Sequence, residues 1–168
     1  MRRVKPSIAL LFALVFFCMT SLAAFAASPH WIRASASGPD QFGDLTVNFK
    51  LAGLGDNETV TITASANATA KYACQNNAGN FPSASNKRTV SGPVSDSGDF
   101  TSGQNGQITD SLTLNPPAPA PFCPPGQNEV LTSVTYTNVS VTTPEAGTKM
   151  ISGTFRSGCL FPDDPQVC

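Results

Sequence analysis

The chain has 168 residues, ten basic and eleven acidic, with a formal net charge of −1. Beyond the first five residues the positive charges are scattered, and Lys87-Arg88 is their only adjacent pair. Nucleic-acid binding needs a concentrated basic patch to neutralise phosphates, so that class is excluded.

In chain order, the first element is an export signal. Arg2, Arg3 and Lys5 precede an unbroken apolar run from Ile8 to Phe17, and no charge follows until Arg33. Ala24-Phe25-Ala26 has the small-x-small form that a signal peptidase reads, so residues 1–26 are expected to be a cleaved secretory signal peptide. An uncleaved anchor needs about 20 apolar residues, and Thr20, Ser21 and the alanines weaken the far end. Phe17 before Cys18 argues against a lipobox, and the polar residues 161–168 do not resemble a lipid-anchor tail. From position 27 onward seven basic residues face eleven acidic ones, a net charge of −4.

Residues 27–43 are expected to be an N-terminal segment ahead of the first strand. From Leu45 to Leu51 odd positions are apolar and even ones polar, which is the period of a half-buried strand. Gly53 and Gly55-Asp56-Asn57 supply a turn. From Val60 to Cys74 the even positions are apolar, predicting one long bent strand or two in succession. Its alanines 64, 66, 68 and 70 leave room for close approach of another layer. Thr89–Val94 reads as a short edge strand broken by Gly92-Pro93. Ile108, Leu112 and Leu114 share a face after the Asn105-Gly106 turn. In the run from Val130 to Val141, Val130, Val134 and Tyr136 are even while Val139 and Val141 are odd, and a β-bulge near Thr137-Asn138 reconciles them. Lys149–Phe155 closes the set with Ile151 and Phe155 inward.

Six or seven strands with no helix predict an all-β fold, an antiparallel immunoglobulin-like β-sandwich over residues 44–158, with a barrel as the alternative. Residues 159–168 form a tail closed by cysteines. Cys74, Cys123, Cys159 and Cys168 are an even set in an exported chain and read as two disulfides, with Cys74–Cys123 and Cys159–Cys168 the favoured pairing of three. A zinc site would need close cysteine pairs, which are lacking, so no metal and no cofactor is expected. The Gly53-Leu54-Gly55 turn and the strand leading into Cys74-Gln75-Asn76-Asn77-Ala78-Gly79-Asn80 are similar to secreted bacterial proteins, a likeness that implies no function.

Two long loops, 74–87 and the proline-rich 116–126, would be held at one end of the sandwich by a Cys74–Cys123 bridge. Sandwich domains commonly present binding loops there, so Asn76, Asn77, Asn80, Phe81 and Phe122 are the candidate binding residues. Catalysis has less support. Acyl transfer by a Ser-His-Asp or Cys-His set needs a fixed histidine, and His30 is the only one, placed before the first expected strand. Copper at Ser28-Pro29-His30 fails because Pro29 has no N–H to lose. A glycosidase would draw on Asp96, Asp99, Asp110, Glu129 and Glu145. Calcium would draw on Asp96-Ser97-Gly98-Asp99 or Asp163-Asp164, neither with EF-hand spacing.

Asn57, Asn67 and Asn138 lie in glycosylation sequons, relevant only in a eukaryotic host. The row Thr59-Thr61-Thr63 raises an ice-binding face, which needs flat threonine ladders on several aligned strands. The resulting expectation is a secreted, extracellular protein (periplasmic in a diderm bacterium) that is not an enzyme. It would bind an extracellular ligand such as a glycan or a surface protein, or serve as a surface or matrix component. It would bind no nucleic acid and would not insert in a membrane after signal cleavage. The alternatives are a small effector or inhibitor that uses the proline-rich loop and, third, a carboxylate-dependent hydrolase.

Overall fold

In the computed structural model, residues 28–82, 86–164 and 167 are described, so the expected signal peptide, residues 1–26, and Cys168 lie outside the described residues. The alternation becomes eight antiparallel strands: β1 (His30–Ser37), β2 (Leu45–Ala52), β3 (Thr59–Asn76), β4 (Lys87–Thr101), β5 (Ile108–Leu114), β6 (Gln127–Thr143), β7 (Gly147–Met150) and β8 (Phe155–Arg156). They form a three-stranded sheet ordered β1-β2-β5 and a five-stranded sheet ordered β4-β3-β6-β7, with β8 also on β6. Both sheets contribute to one apolar core. Leu45, Val47, Phe49 and Leu51 come from the first sheet, and Ile62, Ala64, Val134, Tyr136, Val139 and Val141 from the second.

The alanine row has a clear packing role. Ala68 is the register partner of Tyr136, so the small face of β3 lies beside the largest fully buried side chain. The Tyr136 hydroxyl is shared between the carbonyls of Gly43 and Leu114, at 2.8 and 3.1 Å. Gly43 lies just ahead of β2 and Leu114 ends β5, so one phenol ties the second sheet to the first and satisfies two interior acceptors. On the other flank, edge-to-face rings run from Trp31 to Phe49 at 6.2 Å and on to Phe100 at 5.2 Å, linking β1 and β2 to β4.

The bulge expected near Thr137-Asn138 is present. Ser65 pairs with Ser140 and Asn67 with Thr137, so β6 spends one residue more than β3. Asn138 takes the left-handed conformation at φ 53°, a backbone state that asparagine tolerates and β-branched residues do not. Asn138→Val is therefore expected to cost about 1–2 kcal/mol, seen as a lower urea midpoint, while Asn138→Gly should leave it nearly unchanged.

The structure corrects four sequence-level expectations. The segment 27–43 contains a strand: β1 pairs with β2 along its length, with an irregularity between Trp31 and Arg33 that blurs its alternation. The edge strand β4 does not stop at Gly92-Pro93 but runs fifteen residues. An edge strand needs partners on only one side, so a proline is tolerated there. Thr132 introduces a second bulge, since Lys71 pairs with Ser133 and Tyr72 with Leu131, and this turns Val130 to the face opposite Val134. Finally, the last expected strand divides into β7 and β8, which pair with different stretches of β6 on either side of Gly153 at φ 129°.

Candidate functional site

The end of β3 and the proline-rich loop meet where the sequence places them. Cys74 and Cys123 form a disulfide with their Cα atoms 5.6 Å apart. The expected Cys159–Cys168 bridge includes Cys168, outside the described residues. Just past Cys74, the Asn76 side-chain oxygen accepts from the amides of Ala78 and Asn80 at 3.0 and 2.9 Å, and the Asn76 amide donates to the Asn80 carbonyl. This is an Asx-type turn, so the Asn76 side chain is used in building the loop and is not presented to a ligand.

The turn delivers Asn80 and Phe81 to a groove of about 390 Å³, whose other wall is Leu160, Phe161, Pro162 and Asp163 of the C-terminal tail. Phe81 and Phe161 meet edge to face at 4.9 Å across it. Asn77 and Asn80 are exposed and Phe81 is half-buried, giving an aromatic floor with amide rims. Phe122 does not join this surface. It packs on the core beneath the Arg88 guanidinium, 5.5 Å from the ring centre, and its amide donates to the Glu129 carboxylate at 2.7 Å. The five expected residues therefore separate into a groove set (Asn80 and Phe81), an exposed neighbour (Asn77), a turn builder (Asn76) and a core anchor (Phe122). Phe161 was missed; only its place beside Pro162 between the two final cysteines marked that segment as a turn.

The proline-rich loop is held along its length. The Tyr72 hydroxyl donates to the Pro117 carbonyl at 3.0 Å, and Arg88 donates to the Ala120 carbonyl at 3.0 Å. The carboxylates considered for catalysis also have local partners. Asp96 accepts from the amides of Ser97 and Thr113, Asp99 from the Thr61 hydroxyl, Asp110 from the Ser111 amide, and Glu145 from the Thr143 hydroxyl. Asp96 pairs with Ala64 and Asp99 with Thr61, which puts these two carboxylates on opposite faces of β4 instead of in one calcium-binding turn. Among the described residues no three His, Cys, Asp or Glu side chains gather as a metal site. His30 stands at the head of β1, exposed, with its Nδ1 2.8 Å from the Ser28 carbonyl.

The threonine row does extend across strands. Ser97, Thr63, Thr142 and Thr148 are successive partners on β4, β3, β6 and β7. Their hydroxyls close on each other, however, with Thr63 2.8 Å from Ser97 and Thr142 2.9 Å from Thr148. Neighbouring strands also rotate by roughly 20–25° in a normal sheet, so a four-strand row does not make the flat lattice that ice contact requires. Asn57, Asn67 and Asn138 are all exposed. Among the described residues no helix is long and apolar enough to cross a membrane. The chain matches no protein-family model and no curated protein.

Proposed function

We propose that the chain is exported, loses residues 1–26, and acts outside the cytoplasm as an immunoglobulin-like sandwich that binds a glycan or surface protein through its disulfide-pinned loop end. The observation that carries this reading is the groove between Asn80-Phe81 and Phe161, placed beside the Cys74–Cys123 bridge. A rigid aromatic floor with amide donors at its rim offers apolar contact and hydrogen bonding at little ordering cost. In this reading Cys159 and Cys168 close the tail that forms the second wall. Binding is favoured over an inhibitor role because the proline-rich loop lies anchored against Tyr72, Arg88 and Glu129 and does not project as an inserted element.

Fractionation of the producing culture tests the proposal. Mature protein beginning at Ala27 should stay with the cell wall or matrix through a salt wash. The double variant Asn80→Ala/Phe81→Ala should appear in the wash about tenfold more, the scale of losing one aromatic anchor. Recovery of the unaltered protein as a free monomer in the medium would overturn the surface role and favour an effector.

A further inference from the structure

A second surface lies away from the loops, on the outer face of the three-stranded sheet. There Arg33 on β1 is directly opposite Lys50 on β2, and Lys50 is opposite Thr109 on β5. Like charges at opposed positions repel. Among the described residues neither cation has an ion-pair partner. They line a groove of about 530 Å³ together with Asn48, Thr109, Asp110 and Ser111. Asn48 and Ser111 are register partners, so an amide and a hydroxyl stand one step along the strands from the two cations. Asp110 is exposed and lines the same groove, its carboxylate accepting the Ser111 amide at 2.8 Å, so the groove carries two cations and one anion.

We propose that this groove binds an acidic polysaccharide. A carboxylate of the polymer sits between Arg33 and Lys50, and neighbouring sugar hydroxyls meet Asn48, Thr109 and Ser111. The cations supply charge-assisted hydrogen bonds, and their two charges outnumber the single Asp110 carboxylate in the groove. A neutral glycan fits less well, because sugar recognition without charge leans on an exposed aromatic face. The only ring lining this groove is Phe49, whose side chain is 2% exposed and packs inward between Trp31 and Phe100. A polymer suits an open sheet face with one exposed and one half-buried cation, since each contact is weak and repetition along the ligand adds avidity.

Affinity electrophoresis of the mature protein in gels containing alginate, dextran sulfate or neutral dextran decides the matter. The expected result is retardation in alginate at low salt, relieved by raising the salt, and none in dextran. Arg33→Gln/Lys50→Gln should weaken alginate binding about tenfold or more. Lys149→Gln on β7, which removes a charge from the other sheet, should not change it. Both variants alter side chains outside the buried core, and unchanged thermal midpoints show that they fold. No retardation in alginate, equal retardation of the double variant, equal loss in Lys149→Gln, or binding to dextran sulfate alone would each overturn the proposal. None of these outcomes bears on the loop-end groove, whose residues are untouched.

Discussion

Replacing Cys74 and Cys123 together by alanine is expected to lower the stability of the protein by about 4 kcal/mol, read from the denaturant midpoint against the oxidised parent. The bridged cysteines are 49 positions apart, and loop-closure entropy in the unfolded chain sets that scale. The native loop has other restraints: Tyr72 on Pro117, Arg88 on Ala120 and Glu129 on Phe122 all survive the substitution. The loss should therefore come mainly from a freer unfolded state, with the folded core little changed in its amide spectrum. A small domain has about 5–15 kcal/mol in total, so the variant should sit near the margin. A loss below about 1 kcal/mol would show that the unfolded chain already keeps these two segments close.

Tyr136→Phe should have the next largest effect, a loss of about 1–3 kcal/mol with almost no change in volume. The hydroxyl is the shared donor for Gly43 and Leu114, and the phenyl ring would leave both carbonyls without it in a dry core. The same residue sets an alkaline limit. Burial first, then the charges of Asp44 and Asp40 and the nearby Tyr72, raise the Tyr136 pKa far above the ordinary tyrosine value. Burial also raises that of Tyr72. In the unfolded chain tyrosine ionises near pH 10, while folded Tyr136 keeps its proton. Its contribution is fully present below about pH 10 and is lost as pH rises toward the folded value, by about 1.4 kcal/mol per pH unit. Denaturant midpoints measured between about pH 8 and 12 should fall steeply for the parent. They should fall less steeply for Tyr136→Phe, where Tyr72 alone remains of this pair. Equal slopes would refute the assignment.

The core was readable because its signal is local. The odd residues of β2 and the even residues of β3 become buried simply because successive side chains leave a strand on opposite sides. The parity change in β6 marked the Asn138 bulge for the same reason. Edge strands were harder to read. β4 needs apolar contact on one side only and fills much of its inner face with glycine and half-exposed side chains, so the expected strand ended at Val94, short of Asp96-Ser97-Gly98-Asp99. The site was legible only in part. Cys74 and Cys123 located the loop end, but an asparagine that builds a turn and one that lines a groove look alike in sequence. Asn76 and Asn80 differ only in where their neighbours' amides point.

Period, turn residues and paired cysteines were enough to indicate an all-β chain, the inward face of its main strands and the favoured Cys74–Cys123 pairing, because each depends on steric preferences or on a covalent choice open to few residues. Strand order, the Thr132 bulge, the meeting of Phe81 with Phe161 and the opposition of Arg33 to Lys50 were decided only by the tertiary structure. Each joins positions far apart in the chain, and antiparallel register is settled by how all the strands pack at once, which no single stretch of sequence contains.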